Sequence, residues 1–169
     1  GVDYAGHPCD WKALREIADK YDLQLVNDNC HALGASYFRD RQYAVKYADV
    51  VTQSYHPVKH ITTLEGGLVL SKHPEVLQKI ALQRAFGIDR THSNRTVPGQ
   101  YDVNLLGFNY RMNELQAAIG VIQVDQLTGF LEKRKENHEV VSERLKEVNT
   151  LHQFESSNGD FQSSYYCKS

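Results

Sequence analysis

The stretch Ala48-Asp49-Val50-Val51-Thr52-Gln53-Ser54-Tyr55-His56-Pro57-Val58-Lys59-His60-Ile61-Thr62-Thr63-Leu64-Glu65-Gly66-Gly67-Leu68-Val69-Leu70 decides the fold class. Residues through Ser54 read as a strand rich in β-branched side chains, and Leu68-Val69-Leu70 reads as another. The polar run from Tyr55 joins them. Upstream, Leu23-Gln24-Leu25-Val26 is a third short apolar run, and it ends in Asn27-Asp28-Asn29-Cys30-His31. Helical patterns lie on either side. Asp10 is placed to cap a helix carrying Trp11, Leu14, Ile17, Ala18 and Tyr21 at three- and four-residue steps, broken by Asp22. Pro74 suits the first position of another, with Val76, Leu77, Ile80 and Ala81 on one face and Gly87 as its stop. Strands that alternate with helices and run out into polar residues indicate an α/β fold with a mostly parallel sheet. In such folds ligands sit beyond the strand ends.

Elsewhere the pattern is less regular. Residues 35–47 mix aromatic and basic side chains and are expected to form a small hairpin. Residues 88–108 carry Gly, Pro, Asn, Ser and Thr without a period, as a long surface loop does. Asn113 and Gln116 resemble a capping box that opens a helix through Leu115, Ala118, Ile119 and Ile122. A second, separate helix is expected from Leu127, Leu131, His138, Val141, Leu145 and Val148. Residues 151–163 read as a hinge, and Tyr165-Tyr166-Cys167-Lys168-Ser169 as strand-like. The chain opens on Gly1 without a Met, so both ends are expected to be cut from a longer polypeptide.

Composition narrows the function classes. The chain has 169 residues, 41% apolar and 24% charged, which suits one domain or slightly more and excludes wholesale disorder. With 19 basic and 21 acidic residues the net charge is −2, so no basic excess marks a nucleic-acid partner and no charged tail marks a membrane surface. No apolar run approaches the roughly 18–20 residues needed to span a bilayer. No signal-peptide pattern opens the chain. Cys9, Cys30 and Cys167 fit neither a disulfide framework nor a C-x-x-C metal site, which points to a reducing cytoplasm.

Two strand ends carry chemistry. Lys59 sits in a loop with histidines and hydroxyl residues rather than on a helix face with carboxylates. A lysine desolvated there can lose its charge and attack carbonyl carbon, although an ordinary exposed lysine is also consistent. Asp28 ends an apolar strand, where a carboxylate is costly unless paired. It suits a protonated ring nitrogen, or equally a turn beside Asn27 and Asn29. Ser54, Thr62-Thr63 and Gly66-Gly67 have the hydroxyls and backbone donors a phosphate needs, and also ordinary turn chemistry. His56 and His60 have metal-like spacing only on a helix, which Pro57 opposes.

The order of these features resembles a known family. Ser54-Tyr55-His56-Pro57-Val58-Lys59-His60-Ile61-Thr62-Thr63-Leu64-Glu65-Gly66-Gly67 is similar to the S-F-H-x-x-K-x-I-T-T-x-E-G-G signature of the DegT/DnrJ/EryC1/StrS sugar-nucleotide aminotransferases, fold-type-I pyridoxal phosphate enzymes. Asp28-Asn29-Cys30-His31-Ala32-Leu33-Gly34 resembles their D-x-x-H/Q-A-x-G segment, and Leu106 to Ala118 their G-x-N-x-R-M/L-x-x-x-Q-A-A segment. The Val2-to-Gly6 and Asn27-to-Gly34 stretches are closest to the branch that aminates UDP-4-keto-6-deoxy-N-acetylhexosamines.

The resemblance implies a role for each matched residue. Lys59 holds the cofactor covalently and moves a proton between substrate and cofactor carbons. Asp28 faces the pyridine nitrogen, His31 the phenolic oxygen, and Ser54 the phosphate. Asn109 reaches the phosphate of the neighbouring subunit's cofactor, and Arg111 serves the same phosphate or the dimer contact. Leu64 replaces a common small residue, with an expected effect on packing near the lysine loop. The resemblance further implies a homodimer with shared active sites, a nucleotide-sugar substrate and glutamate as amino donor. Residues 1–125 would be the C-terminal half of the large domain, 126–150 the long connecting helix and 151–169 the start of the small domain. A sugar 3-dehydratase of the same family is the alternative, but such members carry histidine where Lys59 stands. A non-catalytic family remnant is the other, opposed by intact Asp28, Ser54 and Lys59.

Overall fold

In the computed structural model, which describes residues 1–88, 97, 99–148 and 150–168, the chain divides into two units, Gly1–Lys72 with Glu114–Ser169, and His73–Asn113. In the first, a 3-10 turn at Tyr4–Gly6 precedes α1 (Trp11–Lys20), whose N-terminal amides would be unpaired without a cap. The Asp10 carboxylate supplies it, accepting from Ala13 N at 3.1 Å. Only part of the apolar stripe is buried. Trp11 and Ala18 reach the core, whereas Ile17 and Tyr21 are exposed.

The main sheet has the order β1 (Val26–Asp28), β3 (Val50–Ser54), β4 (Gly67–Ser71). β1 and β3 run parallel with Asp28 opposite Thr52, and Val2 forms a parallel bridge to Asp28. β4 pairs antiparallel with β3, placing Gly67 opposite Ser54. The first strand begins three residues later than its apolar pattern predicts. The Leu25 amide donates to Asp49 Oδ2 at 2.7 Å, and Leu23 is exposed. The ladder then runs into Asn27, whose buried partner Asp3 no local pattern reveals, and Asp28.

Of the small hairpin expected in residues 35–47 only the tip forms, Tyr37 and Asp40 exchanging backbone hydrogen bonds at 3.1 and 3.0 Å, and no second strand follows it. Ser36–Tyr37 (β2) pairs instead with Phe161–Gln162 (β5), and Tyr43–Tyr47 form a short helix, α2. Phe38 and Arg39, both at positive φ, make the tight turn that suits a two-residue hairpin, but the return strand stops at Asp40 and the strand partner of β2 lies over 120 residues away. Tyr37, Tyr43 and Ala44 then join Trp11, Ala48 and Val51 in the core. The two helices expected after Asn113 are one, α4 (Glu114–Leu145), because no breaker separates Ile122 from Leu127. At 1.5 Å per residue it is about 48 Å long. None of its residues is fully buried, and Leu115, Val121, Ile122 and Val124 are exposed. No helix among the described residues is long and apolar enough to cross a membrane.

In the second unit, α3 (Pro74–Gln83) starts with proline in its first turn, as expected. Gly87, at φ +71, donates its amide back to Leu82 O at 2.9 Å and so closes the helix. A side chain there would strike Leu105 O. Much of the expected 88–108 loop lies outside the described residues.

Candidate active site

Asp28 and Ser54 stand at the ends of the adjacent parallel strands β1 and β3, and the loop from Tyr55 to Gly66 carries Lys59 back toward them. That loop is braced from within. Thr62 Oγ1 donates to Tyr55 O and accepts from Leu64 N, both at 2.9 Å, and Thr63 Oγ1 donates to Glu65 O at 2.8 Å. These hydroxyls therefore hold the loop's shape, in keeping with the turn chemistry that is one of their two readings. Leu64 is exposed at φ +69, so it packs on little and carries the conformational cost of a left-handed residue. From α4, Gln123 Oε1 accepts from Thr62 N at 3.1 Å and Gln116 donates to Glu65 O at 2.9 Å.

His60 anchors the loop inward. Its ring is 4% exposed, and Nε2 lies 3.1 Å from Ser164 O. Burial pushes its pKa down to about 4. As pH falls below the ordinary 6.5, the unfolded chain gains a proton that the folded chain refuses until about 4. Stability from this group is thus present above pH 6.5 and lost on acidification. We expect urea titrations at pH 7 and 4.5 to show a loss about 2–3 kcal/mol larger in the wild type than in His60→Gln.

The charged groups converge around Asp28. Its Oδ1 accepts from Cys30 N at 3.1 Å. The Cys30 side chain, then that main-chain amide, and finally His31 and Lys59 hold the Asp28 carboxyl below the usual carboxylate range, against the opposing effect of burial. Burial and the neighbouring Asp28 push the Cys30 thiol up to about 11. His31 is pushed down, by burial first and by the positive charge of Lys59 second. Its Nδ1 is buried without a hydrogen-bond partner among the described residues. Ser54 Oγ accepts from His56 N at 3.3 Å.

Tyr166 is a site residue that local reading misses. Its ring stacks on His31 at 4.1 Å and 9°, and Lys59 Nζ lies 5.1 Å from the same ring's centre. Arg134 from α4 donates to Tyr166 O at 3.0 Å. The segment before it threads between two fixed points, since Ser164 N donates to Gly6 O and Ser164 Oγ to His31 O. Gly6, at φ +92, leaves room for that hydroxyl, which a Cβ would meet at 2.4 Å. Tyr166 lies more than 100 residues from both His31 and Lys59, and the strand-like reading of 165–169 hid it.

Asp28, His31, Ser54 and Lys59 thus belong to one unit, whereas Asn109 and Arg111 belong to the other. There Arg111 Nε donates to Asn109 Oδ1 at 2.9 Å, and its guanidinium lies 4.8 Å from the Phe86 ring centre.

A model of the DegT/DnrJ/EryC1/StrS aminotransferase family matches residues 1–168. A UDP-4-amino-4,6-dideoxy-N-acetyl-beta-L-altrosamine transaminase from Campylobacter jejuni is 38% identical over 80% of this chain and 34% of its own length. A dTDP-4-amino-4,6-dideoxy-D-glucose transaminase from Shigella dysenteriae is 31% identical over 85% of this chain and 36% of its own. The solved structure of Helicobacter pylori PseC, an aminotransferase involved in the biosynthesis of pseudoaminic acid, superposes with a TM-score of 0.86 at 28% identity, covering 99% of this chain and 43% of that one. The chain spans about a third of the length of these curated relatives.

Proposed function

The chain belongs to the DegT/DnrJ/EryC1/StrS aminotransferase family, and from that premise we propose that it carries the lysine-bearing site of a pyridoxal phosphate enzyme that aminates a nucleotide-linked keto-deoxy sugar, with glutamate as donor. The observation that carries this reading is the cluster of Asp28, His31 and Lys59 beyond adjoining strand ends. The donor set suits the cofactor. Asp28 is a carboxylate kept charged, Lys59 has no ion-pair partner among the described residues, and His31 offers a buried, unpaired ring nitrogen.

When bound, pyridoxal phosphate supplies a carbonyl that condenses with amines and a ring that accepts electrons from the carbon being deprotonated. Asp28 holds the proton on the ring nitrogen. His31 orients the ring's phenolic oxygen, and the Ser54 hydroxyl binds the phosphate. Lys59 Nζ anchors the cofactor and then carries a proton between the donor or sugar carbon and the cofactor. Asn109 serves the phosphate of a second subunit, with Arg111 beside it, so the functional unit in this reading is a homodimer. The C. jejuni and PseC likenesses favour a UDP-linked 4-keto-6-deoxy-N-acetylhexosamine as acceptor. Incubating the protein and cofactor with such a sugar and glutamate should release 2-oxoglutarate and the amino sugar in equal amounts. Absence of both products with every nucleotide-linked keto sugar would overturn the proposal.

A further inference from the structure

On the other side of β1 from Asp28 lies a buried polar cluster centred on Asp3, which is 0% exposed. Its Oδ1 accepts from Cys9 N and Trp11 Nε1, both at 2.8 Å. Its Oδ2 accepts from Asn27 Nδ2 at 3.1 Å, Asn29 Nδ2 at 2.7 Å and the Tyr43 hydroxyl at 2.7 Å. Asn29 Nδ2 also donates to the Tyr43 oxygen at 2.9 Å, and Gln53 Nε2 donates to Asn29 Oδ1. Every donor is neutral, and Asp3 has no ion pair among the described residues. Burying a carboxylate is costly, and a well-packed apolar residue often serves stability equally well.

What the cluster holds is more specific. Successive side chains of a strand point to opposite faces, so Asn27 and Asn29 turn inward where Asp28 turns toward Lys59. Both flanking residues are tied to the one Asp3 oxygen. The main chain of Asp28 is held as well, its amide by Gly1 O at 2.9 Å and its carbonyl by Asp3 N at 3.0 Å. Asp28 is therefore gripped through its own backbone and through both neighbours, while its carboxylate stays available. We propose that Asp3 is a positioning residue, which with Tyr43 fixes the direction of the Asp28 carboxylate toward the cofactor's ring nitrogen. This rests on the reading of Asp28 given above.

Tyr43→Phe tests it by removing one donor to Asp3 while keeping the ring. Asp3→Asn is the stronger variant, and Ala18→Gly is a control that weakens the same core without touching the cluster. In cofactor-free protein, Tyr43→Phe should speed amide hydrogen exchange at Asp28 about tenfold. In the loaded enzyme it should lower kcat about tenfold with little change in KM, the size of effect seen when supporting partners of a ligand are removed. The chemical shift of ¹⁵N-labelled ring nitrogen should move toward its unprotonated value. Ala18→Gly should lower the melting temperature and leave all three unchanged. If Tyr43→Phe merely matches Ala18→Gly, Asp3 is a core residue and the proposal fails. Should Asp3→Asn not fold, Tyr43→Phe decides alone. A wild type that takes up no cofactor would defeat the functional reading instead, and the exchange rate at Asp28 would still settle the bracing.

Discussion

Lys59→Ala is expected to lose transamination while retaining cofactor. The side chain has two duties in the proposed reaction, anchoring the cofactor and carrying the proton. Proton transfer by a positioned base contributes about 10²–10⁴-fold by itself, so even a preloaded variant should fall at least that far in single turnover. Binding should weaken less, because Asp28 and Ser54 stand at the ends of paired strands and His31 is held by the Ser164 hydroxyl and the stacked Tyr166 ring, none of which involves Lys59. Lys59→Arg should not rescue activity, since a guanidinium does not give up its proton at working pH. Equilibrium dialysis with cofactor and a stopped-flow assay with glutamate separate the two duties. Normal turnover by Lys59→Ala would remove the lysine from the chemistry.

Asp28→Asn is expected to cost about 2–4 kcal/mol in the chemical step, comparable to losing a charged hydrogen bond in a preorganised site. Asparagine keeps the shape and an oxygen for the Cys30 amide but not the charge that holds a proton on the ring. The loss should appear in kcat more than in KM. Because the Asp28 pKa lies below the usual 3.8, the wild-type carboxylate stays charged throughout the neutral range. Its contribution fades only as pH falls through that depressed value, so mild acid does not reproduce in the wild type the deficit of Asp28→Asn. Near-normal turnover in Asp28→Asn would make Asp28 a turn residue.

What could be read from the chain in advance follows from the range of the forces involved. The Asp10 cap, Pro74, the Gly87 stop and the strands around Val51 and Val69 are local features, and each stands where its residues indicate. Errors arise where partners are distant. Strand β1 runs into Asn27 because Asp3, 24 residues away, accepts from its side-chain amide, and β2 finds its strand partner in β5, beyond the tight turn to Asp40. The two apolar sets after Asn113 suggest two helices, yet α4 runs through both, because backbone continuity needs no constant face. At the site, motif order marks Asp28, His31, Ser54 and Lys59. It is silent on Tyr166 and on the Asp3 cluster, both assembled only by folding.

The most direct measurement of the central claim is borohydride reduction of the cofactor-treated protein, followed by peptide mass spectrometry. The account predicts the cofactor's added mass on the peptide containing Lys59 and on no other lysine. Stable labelling of Lys46 or Lys72, with Lys59 unmodified, would contradict it.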